Sequence, residues 1–338
     1  MGVYPGIDLH STNNYIGIID DQDRRLYQKR LPNDLGTILS VLDRFKKELV
    51  GVVVESTFNW YWLVDGLMEH GYKVHLANPS AIRQYEGLKH TDDHWDSFWL
   101  AHMRRLNILP EGYIYPKEDR PVRDLLRRRL LFVKHRTAHI LSLQSMISRN
   151  LGIRMSVNAI KRLKDSDADR LFDSSNLVFA AKNNIAVINH LTEIVKSIER
   201  EVISQVKLRK EFELLLSIPG IGRILALTIM LEVGDIGRFH KVGNYSSYCR
   251  CVKSERLSNG KKKEENNRKN GNKYLSWAYV EAANFAIRFC PKAQRFYQRK
   301  LAKTKAVVAI KAVSNKLARA SYYVMRDQVP YNAGKVFG

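Results

Sequence analysis

Cysteine is scarce in this chain, and its placement excludes two classes of protein. The three cysteines among 338 residues, Cys249, Cys251 and Cys290, make no disulfide framework. Cys249-Arg250-Cys251 has one intervening residue and no His or Cys pair nearby, which is poor spacing for zinc. The three read as core or loop thiols. No run of about 18 apolar residues occurs, so no membrane-spanning helix is expected, and no basic amphipathic tail stands apart as an anchor. Residues 1–8 enter a strand at once and lack a signal-peptide pattern. The expected setting is a reducing cytoplasm. Acid is also in short supply: 34 Asp and Glu face 56 Lys and Arg, for a net charge of +22 and a pI of about 9.9. That balance belongs to a protein that meets a polyanion.

The deficit is lopsided. Residues 1–120 carry 14 Lys/Arg against 17 Asp/Glu, whereas 121–338 carry 42 against 17. An acidic front and a basic back suggest a metal-holding module joined to one that grips nucleic acid.

The front reads as α/β. Residues 3–10 form a strand, 14–20 a second with Tyr15, Ile16, Ile18 and Ile19, and 25–31 a third after the turn at Asp21-Gln22-Asp23. Asn33-Asp34 caps a helix over Leu35, Ile38, Leu39, Leu42 and Phe45. Residues 49–55 are a β-branched run of the kind buried on both faces of a sheet. A helix over 60–69, a strand over 73–77 and a helix from about Ala81 follow. The order βββ-α-β-α-β-α is that of a ribonuclease-H-like (RuvC-like) domain. From Pro121 the texture is helical. Leu126, Leu130, Val133, Ile140, Ile147 and Leu151 fall on a heptad grid with Thr137 and Gln144 at its weak positions, and Ile188, Leu191, Val195, Ile198 and Val202 form a second grid. Polar residues 161–184 between them hold the reversal of an antiparallel helical hairpin or coiled coil, with intrachain and interchain roles both open. A mostly helical, basic segment runs from about Glu211 to Arg326. The fold class is therefore α/β plus all-α, with domains at 1–120, 121–210 and 211–338.

Four carboxylates in the front domain fit together. Asp8 lies mid-strand, Glu55 ends the buried strand, and Asp93 and Asp96 lie three apart on the way into an apolar helix, so they share a face. Asp92, four before Asp96, shares that face equally well. Such a set can hold two divalent ions about 3.5–4 Å apart, which stabilise the attacking and leaving oxygens of a phosphoryl transfer. Hard oxygen donors suit Mg²⁺ or Mn²⁺. The bland alternative is a solvated strand-end acid and a helix cap.

In the back half, Pro219-Gly220-Ile221-Gly222 between apolar helical runs looks like a helix-hairpin-helix turn, in which the Gly220 and Gly222 amides would take a phosphate. An ordinary helix–helix turn reads the same way. Residues 253–319 carry 18 Lys/Arg against 4 Asp/Glu, with Tyr245, Tyr248, Tyr274, Trp277 and Tyr279 interleaved near the start. Cations and aromatic platforms grip nucleic acid, although the spacing of the aromatics around 274–286 is that of a packed face. Ser258, in Leu-Ser-Asn-Gly, runs into Lys261, Lys262 and Lys263, then Arg268, Lys269 and Lys273. By itself it is a turn serine with no His or Asp partner beside it, and Ser254 is a rival nearby.

The chain resembles the DEDD-type insertion-sequence transposases that pair a RuvC-like domain with a C-terminal serine domain, the bridge-RNA-guided recombinases. The matching stretches are Gly6-Ile7-Asp8, Val53-Val54-Glu55-Ser56, and residues 89–96 with Phe98-Trp99-Leu100-Ala101-His102. In the back half they are Ile218-Pro219-Gly220-Ile221-Gly222, Tyr248-Cys249-Arg250-Cys251, Ser258-Asn259-Gly260 with the three lysines, and residues 267–272. The resemblance implies that Asp8, Glu55, Asp93 and Asp96 hold Mg²⁺ (or Mn²⁺), with Asp93 preferred over Asp92 because the family's final pair is spaced three apart. It implies that Ser258 is the nucleophile that forms a phosphoserine link to DNA, and that a non-coding bridge RNA pairs with donor and target DNA. It further implies a homo-oligomer (a dimer, with a tetramer in the synaptic complex) in which two subunits complete each site, and a nucleoid-associated prokaryotic protein. The alternative is a metal-dependent RuvC-like nuclease or junction resolvase without serine catalysis.

Overall fold

The computed structural model describes residues 2–82, 93–205, 209–252, 255–259, 261–265 and 270–337, of which 93–94, 255–258 and 261–265 are described by backbone alone. The chain divides into two compact units, one built on Met1–Lys117 and the other on Glu118–Asn267 with Gly271–Gly338.

The first unit is a sheet with helices on both faces. Strands β1 (Val3–Leu9), β2 (Asn13–Asp20) and β3 (Arg25–Pro32) form an antiparallel meander. After helix α1 (Leu35–Leu42) come β4 (Val52–Glu55), helix α2 (Tyr61–Glu69), β5 (Val74–Ala77) and helix α3 (Asp93–Arg105). The sheet order is β3-β2-β1-β4-β5, with β1, β4 and β5 parallel. This is the ribonuclease-H-like arrangement read from the element order.

Side chains on a strand alternate between faces, which sorts this sheet cleanly. Ile7 and Leu9 of β1 and Val52 and Val54 of β4 pack with Ile38 and Leu42 of α1 and Leu63 and Leu67 of α2. Gly6 and Asp8, and Val53 and Glu55, therefore face the other way, toward α3. Gly6 pairs with Gly17 across β1 and β2. A Cβ on Gly6 would lie 2.1 Å from the Ser97 carbonyl oxygen, and one on Gly17 would lie 2.7 Å from Ser97 Oγ. The paired glycines form a notch into which α3 settles. The helix expected from about Ala81 begins, among the described residues, at Asp93, and residues 83–92 lie outside them.

In the second unit the long helices α4 (Arg120–Leu151) and α7 (Ser175–Gln205) pack together as an intrachain hairpin. Short helices α5 (Val157–Ile160) and α6 (Asp165–Leu171) make the turn. Gly152, at φ 67°, ends α4 in the left-handed cap that glycine adopts without strain. The reversal, over residues 152–174, thus begins and ends earlier than the polar stretch 161–184 suggested. Asn183 and Asn184 stay helical because their amides bond back to the Phe179 and Ala180 carbonyls at 2.8 and 3.0 Å. Thr137 is exposed rather than at a core position, and its hydroxyl donates to the Val133 carbonyl at 2.8 Å. The seam burial shifts instead to Ile140, Leu143 and Ile147.

Helices α8 (Lys210–Leu216), α9 (Arg223–Val233), α10 (Val242–Tyr248), α11 (Lys273–Phe289), α12 (Pro291–Leu301), α13 (Ala306–Asp327) and α14 (Ala333–Phe337) complete the unit, with a two-stranded hairpin of β6 (Glu255–Ser258) and β7 (Lys261–Glu265). Residues 225–233 of α9 are all buried, as a helix apolar on every side must be. Tyr245, Tyr279 and Tyr322 lie in the same core, with the Tyr245 and Tyr279 hydroxyls 2.6 Å apart. Those tyrosines are packing, not a platform. Cys249, Cys251 and Cys290 are buried free thiols, as expected. Among the described residues no helix is long and apolar enough to cross a membrane.

Candidate carboxylate site and serine hairpin

Ile7 pairs with Val54 across β1 and β4, so the next residues along, Asp8 and Glu55, are neighbours on the face that α3 covers. Asp8 is only 4% exposed. Burial pushes the Glu55 carboxyl up to about 8, reinforced by a hydrogen bond with Asp8, by the Asp8 charge and by Asp96. Carboxyls this close favour the neutral form of Glu55, because burial and neighbouring negative charge both oppose its ionisation. Asp96, one turn into α3, joins Glu55, Pro79, Ile82, Trp99 and Leu100 in lining a cavity of about 240 Å³. The structure therefore brings together three of the four acids. Asp93 opens α3 with its side chain outside the described part, and Asp92 lies outside the described residues.

His10 is a neighbour that sequence reasoning missed. Its Nε2 lies 3.1 Å from Asp8 Oδ2. Asn33 and Asn59 each donate to its backbone carbonyl at 3.0 Å, pinning the turn that follows β1. The available signal was the period-2 spacing of Asp8 and His10 at the end of one strand.

The donors suit a hard divalent cation: they are carboxylate oxygens, partly buried and close enough to repel one another. Among the described residues, however, no group of three or more His, Cys, Asp or Glu side chains is gathered tightly enough to hold a metal by itself. The acids are arranged to converge rather than closed into a cage.

Ser258 ends β6 and pairs with Lys261 at the start of β7. Asn259 sits between them at φ 50°, and Asn-Gly is the strongest two-residue hairpin signal a sequence offers. The serine thus stands at the tip of a β-hairpin, not in an irregular loop. Lys261, Lys262 and Lys263 lie along β7, described by backbone alone, while Gly260, Arg268, Lys269 and Ser254 lie outside the described residues.

The chain on either side of the hairpin is clamped. Asn272 N–H donates to the Tyr248 carbonyl at 2.6 Å, and the Asn272 side chain caps α11 by accepting from the Tyr274 and Leu275 amides at 2.8 and 3.1 Å. Arg250 donates to the Gly271 carbonyl at 3.1 Å, and Lys311 donates to the Arg250 carbonyl at 2.8 Å. Gly271, at φ 83°, lies so close that a Cβ would sit 2.6 Å from the Tyr248 carbonyl oxygen. Both ends of the arm therefore leave one rigid base. Exposed Lys273 starts α11 beside it, with Nζ 5.3 Å from the Tyr274 ring.

The glycines of the expected helix-hairpin-helix turn differ from each other. Gly220 is at φ 88°, and a Cβ there would lie 2.1 Å from the Ala282 carbonyl oxygen, so this residue lets the turn press against α11. Gly222 caps α9 with nothing within 4 Å of where a Cβ would be.

Two family models match this chain. Residues 5–150 match a DEDD-type IS110 transposase model, and residues 212–298 match one described as "Transposase IS116/IS110/IS902 family". The "Transposase for insertion sequence element IS1111A" of Coxiella burnetii is 24% identical over 295 residues, covering 84% of this chain and 77% of that protein. The "Putative transposase y4qE" of Sinorhizobium fredii is 24% identical over 300 residues, covering 86% and 73%.

Proposed function

Because the chain is a transposase of the IS116/IS110/IS902 family, with a DEDD domain ahead of a C-terminal transposase domain, we propose that it cuts and rejoins DNA through a phosphoserine at Ser258. Transposition and DNA as substrate come with the family.

The Ser258 hydroxyl attacks a backbone phosphorus, forming one P–O bond as another breaks, and the departing deoxyribose oxygen takes up a proton. The phosphoserine keeps the energy of the broken phosphodiester, so the reverse attack by a DNA hydroxyl rejoins strands without ATP. Lys261, Lys262, Lys263, Arg268, Lys269 and Lys273 neutralise phosphates around the serine, and the Gly222 amide at the start of α9 offers a further backbone-directed contact. Asp8, Glu55, Asp96 and Asp93 would hold Mg²⁺ or Mn²⁺. Such ions supply charge at the attacking and leaving oxygens. His10 fixes the orientation of the Asp8 carboxyl.

A non-coding bridge RNA that pairs with donor and target DNA would read the sequence, leaving the protein's cations to neutralise backbone phosphates. Assembly as a homo-oligomer lets one subunit's serine serve another's carboxylates. The observation that carries the reading is the meeting of Asp8 with Glu55, which lines one cavity together with Asp96, in a chain that also presents Ser258 at the tip of a hairpin. The test is a plasmid recombination assay with Asp8→Asn and Ser258→Ala subunits. Each alone should fail, and their mixture should recover part of the activity. Full strand cutting by Ser258→Ala would mean that the carboxylate site hydrolyses DNA alone, as a nuclease or resolvase does.

A further inference from the structure

A second cavity of about 220 Å³ lies beside the carboxylates, lined by Ile19, Arg25, Trp95, Phe98, Trp99 and His102, with Asp23 at its edge. Trp99 lines both this cavity and the one that holds Glu55 and Asp96. Along α3 the flat rings of Trp95, Trp99 and His102 recur at helical spacing and lie nearly parallel. Trp95 and Trp99 centroids are 6.5 Å apart at 11°, and Trp99 and His102 are 5.4 Å apart at 24°. Trp95 is 41% exposed, much for an indole with a buried sheet within reach.

The polar groups around the rings are fixed. Asp23 accepts from His102 Nδ1 at 2.9 Å and from Arg105 Nε at 2.7 Å, which holds the imidazole in the row. The Arg25 guanidinium lies 4.3 Å from the Phe98 ring centroid. Arg25 belongs to β3, the edge strand, which gathers Arg25, Lys29 and Arg30 on a unit otherwise richer in acid than base. Stacked rings with a cation at the rim form the physical pattern that holds a strand by its bases and phosphates. Ser97, Phe98, Leu100, Ala101 and Met103 make the buried side of α3, with Trp99 packed at its border, and that packing leaves the Trp95 ring outside it.

We propose that this cavity is a base-stacking subsite for one unpaired nucleobase of the DNA strand whose phosphate enters the carboxylate cavity. The inference rests on the proposed function only for the identity of that strand. DNA is the occupant because Trp99 is a wall common to the two cavities, so the nucleotide beside the reacting phosphate is the one within reach. Trp95 and Trp99 are positioning residues: they hold the strand and touch no reacting atom. An unpaired base is required because a base inside a duplex offers no free face to a ring.

The experiment uses the full-length Ser258→Ala chain, which separates binding from any cutting. Single-stranded DNA carrying 5-iodouracil is cross-linked by light, and the adduct is mapped by mass spectrometry. The expected sites are Trp95 and Trp99. In the same background, Trp95→Ala should weaken binding of oligo-dT by about tenfold, with Trp95→Phe restoring most of it. Cross-links confined to other residues, or unchanged oligo-dT affinity in Trp95→Ala, would overturn the proposal. So would a loss confined to oligo-rU, since that would make RNA the occupant. None of these results depends on whether Ser258 becomes phosphorylated by DNA, which is read from the wild-type chain.

Discussion

Arg127 of α4 donates to both oxygens of the Glu232 carboxylate, at 2.6 and 2.8 Å, and Asn272 donates to one of the same oxygens at 2.7 Å. Glu232 is 1% exposed on α9, and Asn272 is the residue at which the chain returns from the serine hairpin. One buried carboxylate thus joins the long hairpin helix, the central helix of the C-terminal core and the base of the serine hairpin.

Removing the cation from that junction should be severe. Arg127→Met leaves a buried charge without its partner, at a cost of about 3–5 kcal/mol. Glu232→Gln, which stays hydrogen-bonded, should cost about 1–3 kcal/mol. Urea unfolding checks the order of the two. Recombination should fall in both, because the arm loses its anchored base.

Gly220 and Gly222 should respond oppositely to alanine. At Gly220 the new methyl meets the Ala282 carbonyl at a positive φ, so the variant should lose more than about 2 kcal/mol of stability. At Gly222 there is space, and the change of cap residue should cost less than about 1 kcal/mol. Thermal melts read both. Equal loss at the two positions would contradict the packing role assigned to Gly220.

Glu55 makes stability depend on pH in a stated direction. The folded chain keeps this proton to about pH 8, whereas the unfolded chain releases it near the ordinary glutamate value of 4.5. Between those values the folded state binds more protons, so stability falls as pH rises through the window and levels off above it. Without divalent ions, Glu55→Gln should therefore melt higher than the parent chain at pH 8, with the gap closing toward pH 4. Added Mn²⁺ should reverse the order, since an ion bound only by the folded state stabilises it by mass action. Melting curves with EDTA and with Mn²⁺ provide the check.

Much of this was legible in the chain. The β-branched run at 52–54 and the alternation of β1 and β2 announced the sheet, whereas the Ile7–Val54 register that puts Asp8 and Glu55 on one face comes from the fold. The depth of the site was not legible, because it depends on Gly6 meeting Gly17 across two strands, which no local pattern reveals. Ser258 was singled out by its cations, yet Asn259-Gly260 also announces a hairpin, and that signal was hidden by the lack of apolar alternation in Glu-Arg-Leu-Ser. Tyr279 is core, as the packed-face spacing around 274–286 suggested, and Tyr245, which lies close to the cations in sequence, is core too. A sequence gives the type of an aromatic, not the wall it faces. The clamp of Glu232, Arg127 and Asn272 joins residues 105 and 40 positions apart and had no sequence signature.

The notch supplies its own prediction. Gly17→Ala pushes a methyl toward Ser97 Oγ and Phe98 and lifts α3 from the sheet, carrying Asp96 away from Glu55. Mn²⁺ should then raise the melting temperature less than in the parent chain, while Asn259→Ala, in the other unit, leaves that increment unchanged.

The most direct test of the central claim is to trap the protein on DNA. A nicked suicide substrate, from which the released fragment diffuses away, should leave DNA joined covalently to the wild-type chain in Mg²⁺. Digestion and mass spectrometry should place the nucleotide on Ser258, and the adduct should be absent from Ser258→Ala. Cut DNA with no covalent adduct, or an adduct on another residue, would contradict the account.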